Sequence, residues 1–299
     1  MATVDVTRLA KPPTLAPQRL ASLRAALRTG RTRIGLALTV PVLLIVILGP
    51  LVAPHTPIEP VVAPYASPSG DALLGGDAIG RDVLSRALWG GWSVVWMCFA
   101  ATALGFVVGI AVGLIAGYAR NWVDDVLTGA MDVLLAFPAI VMALLFVSML
   151  GPKLWLITVI VAVTHAPRVA RLTRGVTLEV VHSEFVEAAE VIGVARWRIL
   201  LGQILPNLST PLLIEFTMRL TWSIAIIAAM SFLGYGIQPP DANWGLMINE
   251  NRQGLVVQPW GVLAPIALIA AFAVGVNLIG EGIARAMGQD DTLAYRELS

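Results

Sequence analysis

Six long runs of apolar residues divide the chain, and each is long enough to cross a bilayer as a helix. The hydrocarbon core of a bilayer, about 30 Å thick, requires about 20 apolar residues of α-helix. Only 13% of the residues are charged and 57% are hydrophobic, whereas soluble domains carry about 25% charged residues. Because a soluble fold of this length would leave too much apolar surface in water, we predict an all-α integral membrane protein. The predicted spans are Ile34–Ala53, Trp92–Tyr118, Val126–Leu150, Leu154–Ala170, Thr210–Leu233 and Val262–Ala284.

Prolines interrupt two of these runs. Pro41 lies within the first, and Phe137-Pro138 lies within the third. Proline inside a membrane helix is tolerated where neighbouring groups satisfy the freed carbonyl, and it usually bends the helix. We therefore expect bent helices at these two positions.

The basic residues predict which side of the membrane each connection occupies. If the N-terminus is cytoplasmic, 15 of the 20 arginine and lysine residues lie in cytoplasmic segments, 4 lie outside and Arg219 lies within a helix. Cytoplasmic loops carry an excess of positive charge, which favours this orientation over its inverse. The chain then divides into a cytoplasmic tail (1–33), a first span with an extracytoplasmic connection (34–91), a core of five spans (92–285) and a second cytoplasmic tail (286–299). Both tails are expected to be partly disordered.

The longest cytoplasmic connection contains a segment, residues 183–207, with the signals of a short helix. Ser183 can cap the helix, and Ala188 and Ala189 favour helix while leaving a thin face. Gly193 would let the chain turn out of it. Three acidic residues suit the positive N-terminal end of such a helix: Glu184, Glu187 and Glu190.

Pro206 is acceptable in the first turn of the helix that follows. The short helix is therefore expected to lie along the cytoplasmic face, held between two spanning helices. The pattern alone leaves two interpretations open. The segment is either a solvated amphipathic connector or a surface that another protein approaches.

The same segment resembles the motif of a known family. Glu187-Ala188-Ala189, three residues, Gly193, nine residues and then Gln203-x-Leu205-Pro206 is similar to the EAA loop of binding-protein-dependent ABC importer permeases. In that family the loop forms a coupling helix that sits in a groove of a cytoplasmic ATPase. Gln203 stands where the loop usually carries a hydrophobic residue, which bears on the local helix contact.

Two further segments are similar to one branch of that family. Leu74–Arg86 resembles the LGTDxxGRDVxSR stretch ahead of the second helix in C-type dipeptide and oligopeptide permeases, with Gly76 in place of the usual threonine. Ser231–Pro240, followed by Asn243-Trp244-Gly245, resembles the segment after the fifth helix of the same group. The three matches occur in the correct order over about residues 30 to 288, so the chain resembles the C-type subunit of dipeptide, oligopeptide and nickel importers.

The resemblance implies a six-helix fold of the type I ABC importer permease in a bacterial plasma membrane. The implied partners are a second homologous permease, two cytoplasmic ATPase subunits or domains, an extracytoplasmic solute-binding protein and the lipid bilayer, without nucleic acid. ATP and magnesium would be used by the ATPases, and this chain would hold no cofactor, metal or catalytic residue. Dipeptides or oligopeptides are the expected cargo, with nickel or another small solute as the alternative.

Two other classes of protein remain as alternatives. An ion-coupled secondary transporter would have two similar halves and midplane carboxylates. Glu215 is one candidate carboxylate, but no matching half is found. An intramembrane enzyme would need a catalytic pair, and Ser231 and His165 lie in segments that no spacing unites. The sequence also has no G-x-x-x-x-G-K-[ST] motif, so no P-loop for ATP is predicted.

Some residues within the spans are candidates for helix packing or for the solute pathway. Glu215 and Arg219 lie four apart and can pair on one helix face. With Asn277 they would either line the pathway or fix the register of buried helices, because a charge within hydrocarbon must face protein or water. Glycines at four-residue spacing on the second span would let another helix approach, from this subunit or from a partner permease: Gly105, Gly109, Gly113 and Gly117.

The third span begins with acidic residues, and His165 lies near the predicted end of the fourth. Asp124, Asp125 and Asp132 are expected to cap and anchor the helix at its positive end. His165 is expected to be a polar group near the cytoplasmic surface.

Overall fold

The computed structural model describes residue 27, residues 29–119 and residues 121–297, with side chains described as far as residue 286. Most of the predicted N-terminal tail, residues 1–26 and 28, lies outside the described residues. A π-helical turn at 200–204 and a 3₁₀ turn at 252–254 supplement the α-helices. These are α1 Gly30–Val52, α2 Val83–Trp89, α3 Gly91–Ala119, α4 Trp122–Ala136, α5 Ala139–Leu150, α6 Leu154–Val181, α7 Glu184–Val191, α8 Arg196–Ile199, α9 Leu205–Asn207, α10 Ser209–Phe232, α11 Trp244–Asn251 and α12 Trp260–Glu297.

Length and composition assign five membrane crossings to the described helices, and a sixth where a bent pair counts as one span. Five helical stretches within the described ranges are long and apolar enough to cross alone: α1, α3 with α2 before it, α6, α10 and α12. The sixth is the pair α4 and α5, which meet at an angle of 82°. The break falls at Phe137-Pro138, and Phe137 is extended, with φ −89° and ψ 128°, a conformation that a following proline favours. The predicted bend in the third span is confirmed, whereas α1 continues as helix through Pro41.

Two helices continue past their apolar runs. α6 ends at Val181 rather than near Ala170, and its last turns carry arginines that bind aspartates of α4. These contacts hold a polar stretch in helical form, which a search for apolar runs cannot detect. α12 continues to Glu297, so the backbone of the predicted C-terminal tail is helical as far as that residue.

α3 and α6 run parallel and pack more extensively than any other pair of helices in the described chain. A Cβ atom at Gly105 would lie 2.7 Å from the carbonyl oxygen of Ala162, and one at Gly113 would lie 2.5 Å from that of Ala170. No side chain fits at such distances, so only glycine allows this approach. The glycines on the predicted face of α3 therefore contact α6 of the same chain, at Gly105, Gly109, Gly113 and Gly117.

The buried apolar residues form two main clusters. One lies among α1, α3, α6, α10 and α12 and includes Val42, Cys98, Ile157, Ile224 and Phe272. The other lies where α3, α6 and α10 meet α7, and it includes Phe106, Val169, Val186, Ile204 and Leu212. The second cluster joins the short helix α7 to three of the long helices.

At the other end of α3 from α7, residues 53–90 and 233–259 form a layer that we call the cap. The indole nitrogen of Trp244 donates to the carbonyl oxygen of Ala87 at 2.8 Å, and Asn243 Nδ2 donates to Ser93 Oγ at 3.1 Å. Asn251 Oδ1 accepts from the backbone N–H of Ala78 at 2.9 Å. The two parts of the cap that contain these family-like segments thus bind each other, through residues within the segments and directly beside them.

A buried group of charges lies at the centre of the cap. Arg86 Nη1 is 2.6 Å from both Asp77 Oδ2 and Glu250 Oε2, and Arg81 Nε is 2.6 Å from the same Asp77 oxygen. Asp77 and Arg86 are fully buried, and Arg81 is 3% exposed. Burial raises the pKa of the Asp77 carboxyl, but hydrogen bonds from the N–H groups of Ile79 and Arg81 and the charges of Arg86 and Arg81 outweigh it. The pKa of Asp77 therefore lies below its ordinary value.

Candidate functional site

The segment between α6 and α10 forms the predicted short helix, α7. Its inner face carries Val186, which is fully buried, and Ala189, which is 4% exposed. These side chains belong to the same cluster as Val181 and Ile199, so apolar burial holds α7 against the bundle. Ser183 occupies the N-cap position, but its hydroxyl donates to the carbonyl oxygen of Val180 at 2.6 Å. The expectation that its side chain caps α7 is therefore wrong.

The outer face of α7 is exposed and mixes acidic with apolar side chains. Val191 is 87% exposed, Ile192 is 78% exposed and Phe185 is 48% exposed. Residues three and four apart lie on one side of a helix, which places these side chains beside the exposed Glu187 and Ala188. We call the following exposed residues the α7 ridge: Glu184, Phe185, Glu187, Ala188, Val191 and Ile192.

The chain turns out of α7 at Gly193, as predicted. Gly193 has φ +78°, a conformation that costs other residues free energy because of their Cβ atom. The N–H groups of Gly193 and Val194 donate to the carbonyl oxygens of Glu190 and Ala189, each at 3.0 Å. No other heavy atom lies within 4 Å of the position of a Cβ at Gly193, so the backbone conformation alone requires glycine.

The chain then returns to the bundle through α8, the π-helical turn and α9. Pro206 lies in α9, which follows the π-helical turn without a break, three residues before α10 begins at Ser209. Ile199, Ile204 and Leu208 are fully buried, and the partly buried Leu205 packs against the same cluster. Leu205 and Pro206 therefore lie on the segment that anchors the loop.

A hydrogen bond that the sequence did not predict connects α7 to α3. Tyr118 Oη donates to Glu190 Oε1 at 2.6 Å. A cavity of about 850 Å³ lies beside this bond, between the ends of α3, α4 and α6 and the segment from α7 to α8. The two residues are 72 positions apart, so no local rule could have paired them.

Two of the three acidic residues of α4, Asp124 and Asp132, bind arginines of α6, and Asp125 lies in the first turn of the helix. Asn121 caps the helix by accepting from the N–H of Val123. Asp124 accepts two hydrogen bonds of 2.6 Å from Arg174, and Asp132 accepts one of 2.7 Å from Arg171. The expectation that Asp124 and Asp132 cap the helix is wrong: Asp124 is held by a bidentate pair with arginine, and Asp132 lies too far from the helix start, ten residues after Trp122, for its end to matter.

The polar residues within the spans form a group between α3, α6 and α10. Arg219 Nε lies 2.8 Å from Glu215 Oε1, in the predicted pair. One turn further along α10, Ser223 Oγ is 2.8 Å from both His165 Nε2 and Thr102 Oγ1. His165 is 1% exposed, so the expectation of a surface position is wrong. Sequence reasoning missed Ser223, although its spacing of four residues from Arg219 places both on one face of α10 and could have identified it.

Asn277 is not part of this group. Its Nδ2 donates to Glu281 Oε1 at 3.1 Å on the same helix, and its hydrogen bond does not go to Glu215 or Arg219. Glu281 also pairs with Arg31 at the start of α1. The structure therefore separates Asn277 from the two residues with which the sequence grouped it.

Comparison with known proteins agrees with this architecture. Residues 109–289 match the family described as "Binding-protein-dependent transport system inner membrane component". The matched segment runs from the middle of α3 to α12 and contains all of α7 and the α7 ridge.

Individual relatives cover most of the chain. The chain is 36% identical over 220 residues to a glutathione transport system permease protein of Pectobacterium atrosepticum, covering 74% of this chain and 73% of the relative. It is 33% identical over 255 residues to a dipeptide transport system permease protein of Alkalihalophilus pseudofirmus, covering 85% and 84%. It is 34% identical over 261 residues to a putative peptide transport system permease protein of Brucella suis, covering 87% and 88%. The chain therefore belongs to the inner membrane components of binding-protein-dependent transport systems, the permease subunits of ABC transporters.

Proposed function

We propose that this chain is a permease subunit of an ATP-driven importer of dipeptides or oligopeptides. It lies in a bacterial plasma membrane with both termini in the cytoplasm, and it encloses the pathway together with a second, homologous permease. The relatives named for dipeptide and peptide transport support this cargo class. An extracytoplasmic binding protein delivers the peptide on the side of the cap.

The partner of the α7 ridge is a cytoplasmic ATPase. The observation that carries this proposal is the exposure of Val191 and Ile192, at 87% and 78%, on a helix that lies outside the long apolar spans. Contiguous apolar side chains exposed beside charged ones are typical of a protein contact. ATP and magnesium act in the ATPases, and this chain contributes no catalytic residue.

Movement of the ATPases reaches the pathway through the inner face of α7. Val186 and Ala189 pack in the same buried cluster as Phe106 of α3 and Leu212 of α10. Because side chains in such a cluster are close-packed, a displacement of α7 moves the helices that it contacts. Closure of the ATPases on ATP thus shifts the bundle between outward and inward openings.

Two substitutions on α7 and its turn test the coupling role. Glu187→Lys reverses a charge on the exposed ridge, and Gly193→Asp forces an unfavourable φ of +78° where there is open space for the side chain. Neither disturbs a buried group, so we expect normal amounts of the chain in the membrane. We expect less ATPase to be recovered with affinity-purified chain, and slower ATP-dependent uptake of dialanine.

Glu59→Lys provides a matched control, because Glu59 is exposed and belongs to the cap. This variant should recover as much ATPase as the wild type does. If Glu187→Lys and Gly193→Asp also bind ATPase and transport normally, α7 does not couple the subunits. If the wild-type complex shows no ATP-dependent uptake of any peptide tested, the proposed cargo class is wrong.

A further inference from the structure

One of three arginines on α6 has no acidic partner. Arg168, Arg171 and Arg174 follow one another at three-residue spacing. Arg171 pairs with Asp132, and Arg174 pairs with Asp124. Arg168 is exposed near the middle of α6, and it makes no ion pair or hydrogen bond within the described part of the chain.

Arg219 of α10 is only partly satisfied. It is 7% exposed, and its Nε lies 2.8 Å from Glu215 Oε1 without the alignment of a hydrogen bond. Its Nη1 is also enclosed and has no hydrogen-bond partner among the described residues. A guanidinium has five N–H donors, so Glu215 leaves much of its capacity unused.

These two arginines belong to one electrostatic neighbourhood. Arg168 follows His165 by three residues on α6, and Arg219 precedes Ser223 by four residues on α10, where Ser223 Oγ lies 2.8 Å from His165 Nε2. α10 runs antiparallel to α3 and α6, because Thr102 meets Ser223 and Phe106 meets Phe216, so both arginines lie about one helical turn to the same side of the His165–Ser223 contact. Two guanidinium groups and the Glu215 carboxylate, which pairs with Arg219, therefore lie on neighbouring turns of membrane-spanning helices, where an uncompensated charge is costly. With two positive groups and one negative group, the charges would be balanced by one additional anion.

We propose that Arg168 and Arg219 form a carboxylate-binding site that holds the terminal carboxylate of a peptide during its passage. The inference rests on the proposed function and names the part of the cargo that is recognised. Every dipeptide or oligopeptide with a free C-terminus carries this group, whatever its side chains. Arginine binds carboxylates through paired N–H donors, so the site accepts cargo without regard to sequence.

The test uses the complete importer in liposomes: this chain, the second permease, the ATPases and the binding protein. Dialanine uptake and ATP hydrolysis are measured together, which gives the number of peptides moved for each ATP. Arg168→Gln is the main variant, because the residue is exposed and its loss leaves no buried charge behind. Arg168→Lys retains the charge, and Arg171→Gln is the matched control on the same helix.

We expect Arg168→Gln to move about tenfold fewer dialanine molecules for each ATP, the loss typical of one bond to a charged group. ATP hydrolysis stimulated by the loaded binding protein should not change, Arg168→Lys should recover most of the transport, and Arg171→Gln should match the wild type. The double variant Glu215→Gln with Arg219→Gln removes both charges of the buried pair. It should show the same loss of transport with normal amounts of the chain.

Equal peptide-to-ATP ratios in the wild type, Arg168→Gln and Arg171→Gln would overturn the proposal. A lipid phosphate is the other source of an anion, and native mass spectrometry distinguishes it. If Arg168→Gln loses one bound anionic phospholipid while its peptide-to-ATP ratio is normal, the site binds lipid and the cargo assignment is wrong. Absence of ATP-dependent peptide uptake by the wild type would instead refute the proposed function, and this inference with it.

Discussion

Replacing Asp77 with asparagine removes one charge from the centre of the cap with almost no change in side-chain shape. The asparagine oxygen can still accept from the N–H groups of Ile79 and Arg81, which bond to Asp77 Oδ1 at 3.0 and 2.9 Å. The charge that balances Arg81 and Arg86 is lost. Glu250 remains beside both arginines, so the imbalance is reduced but not abolished.

The expected cost follows from the burial of these groups. Removing one partner of a buried ion pair lowers the free energy of unfolding by about 3–5 kcal/mol. Because Glu250 still balances part of the positive charge, we expect Asp77→Asn to lower it by about 3 kcal/mol, at the lower end of that range. Since about 1 kcal/mol shifts the melting temperature of a domain of 150–250 residues by about 2–4 °C, we expect Tm to fall by about 6–12 °C. Asp132→Asn is the matched control, because Asp132 and Arg171 have side chains that are 52% and 55% exposed. Such a pair contributes less than about 1 kcal/mol.

Thermal unfolding of the purified chain in detergent at pH 7 measures this difference. The chain has nine tryptophans, and the fully buried Trp244 in the cap makes their fluorescence sensitive to loss of this layer. Because unfolding of such a protein is often irreversible, all variants are heated at one fixed rate. The reasoning is refuted if Asp77→Asn melts within about 2 °C of Asp132→Asn, half the smallest expected difference.

Three further outcomes are expected from the same structure. The folded pKa of Asp77 lies below its ordinary value of 3.8, so the contribution of its charge to stability is complete above pH 3.8 and is lost as the pH falls through the folded pKa. The difference in Tm between wild type and Asp77→Asn should therefore vanish in acid. A difference that stays constant with pH would contradict this. Gly113→Ala should lower the free energy of unfolding by about 1–3 kcal/mol, because the added methyl group overpacks against α6. Gly129→Ala has open space around its Cβ position and should raise the free energy of unfolding by up to about 1 kcal/mol. Melting curves that rank the two variants in reverse order would disprove the packing argument. Cys98 is fully buried, so a maleimide reagent should label it only after denaturation; rapid labelling of the native chain would show that the interior is open there.

Local rules predict much of this fold. The count of spans, the bend at Pro138 and the turn at Gly193 each depend on residues close together in sequence. Hydrophobic length predicts a span, a proline disfavours helix at the residue before it, and a positive φ favours glycine. The same rules place α7 between two spans and indicate its acidic ridge.

Contacts between distant segments could not be predicted from the sequence. Glu250 is 164 residues from Arg86, and no periodicity relates them. The pairing of Asp124 with Arg174 has the same origin, and it explains why α6 continues beyond its apolar run. His165 shows a further limit, because its position in the linear sequence suggests a surface group while helix packing buries it against Ser223.

The contact between α3 and α6 has a mechanical consequence. Helices that meet at glycines, against backbone and Cβ atoms of the neighbouring helix, have few rotamers between them that could absorb a displacement. We therefore expect α3 and α6 to move together when a force acts near Tyr118, as far along α3 as Gly105. Any flexing that the subunit needs falls instead to α4 and α5, which are joined at an 82° corner and keep most of their side chains outside the buried clusters.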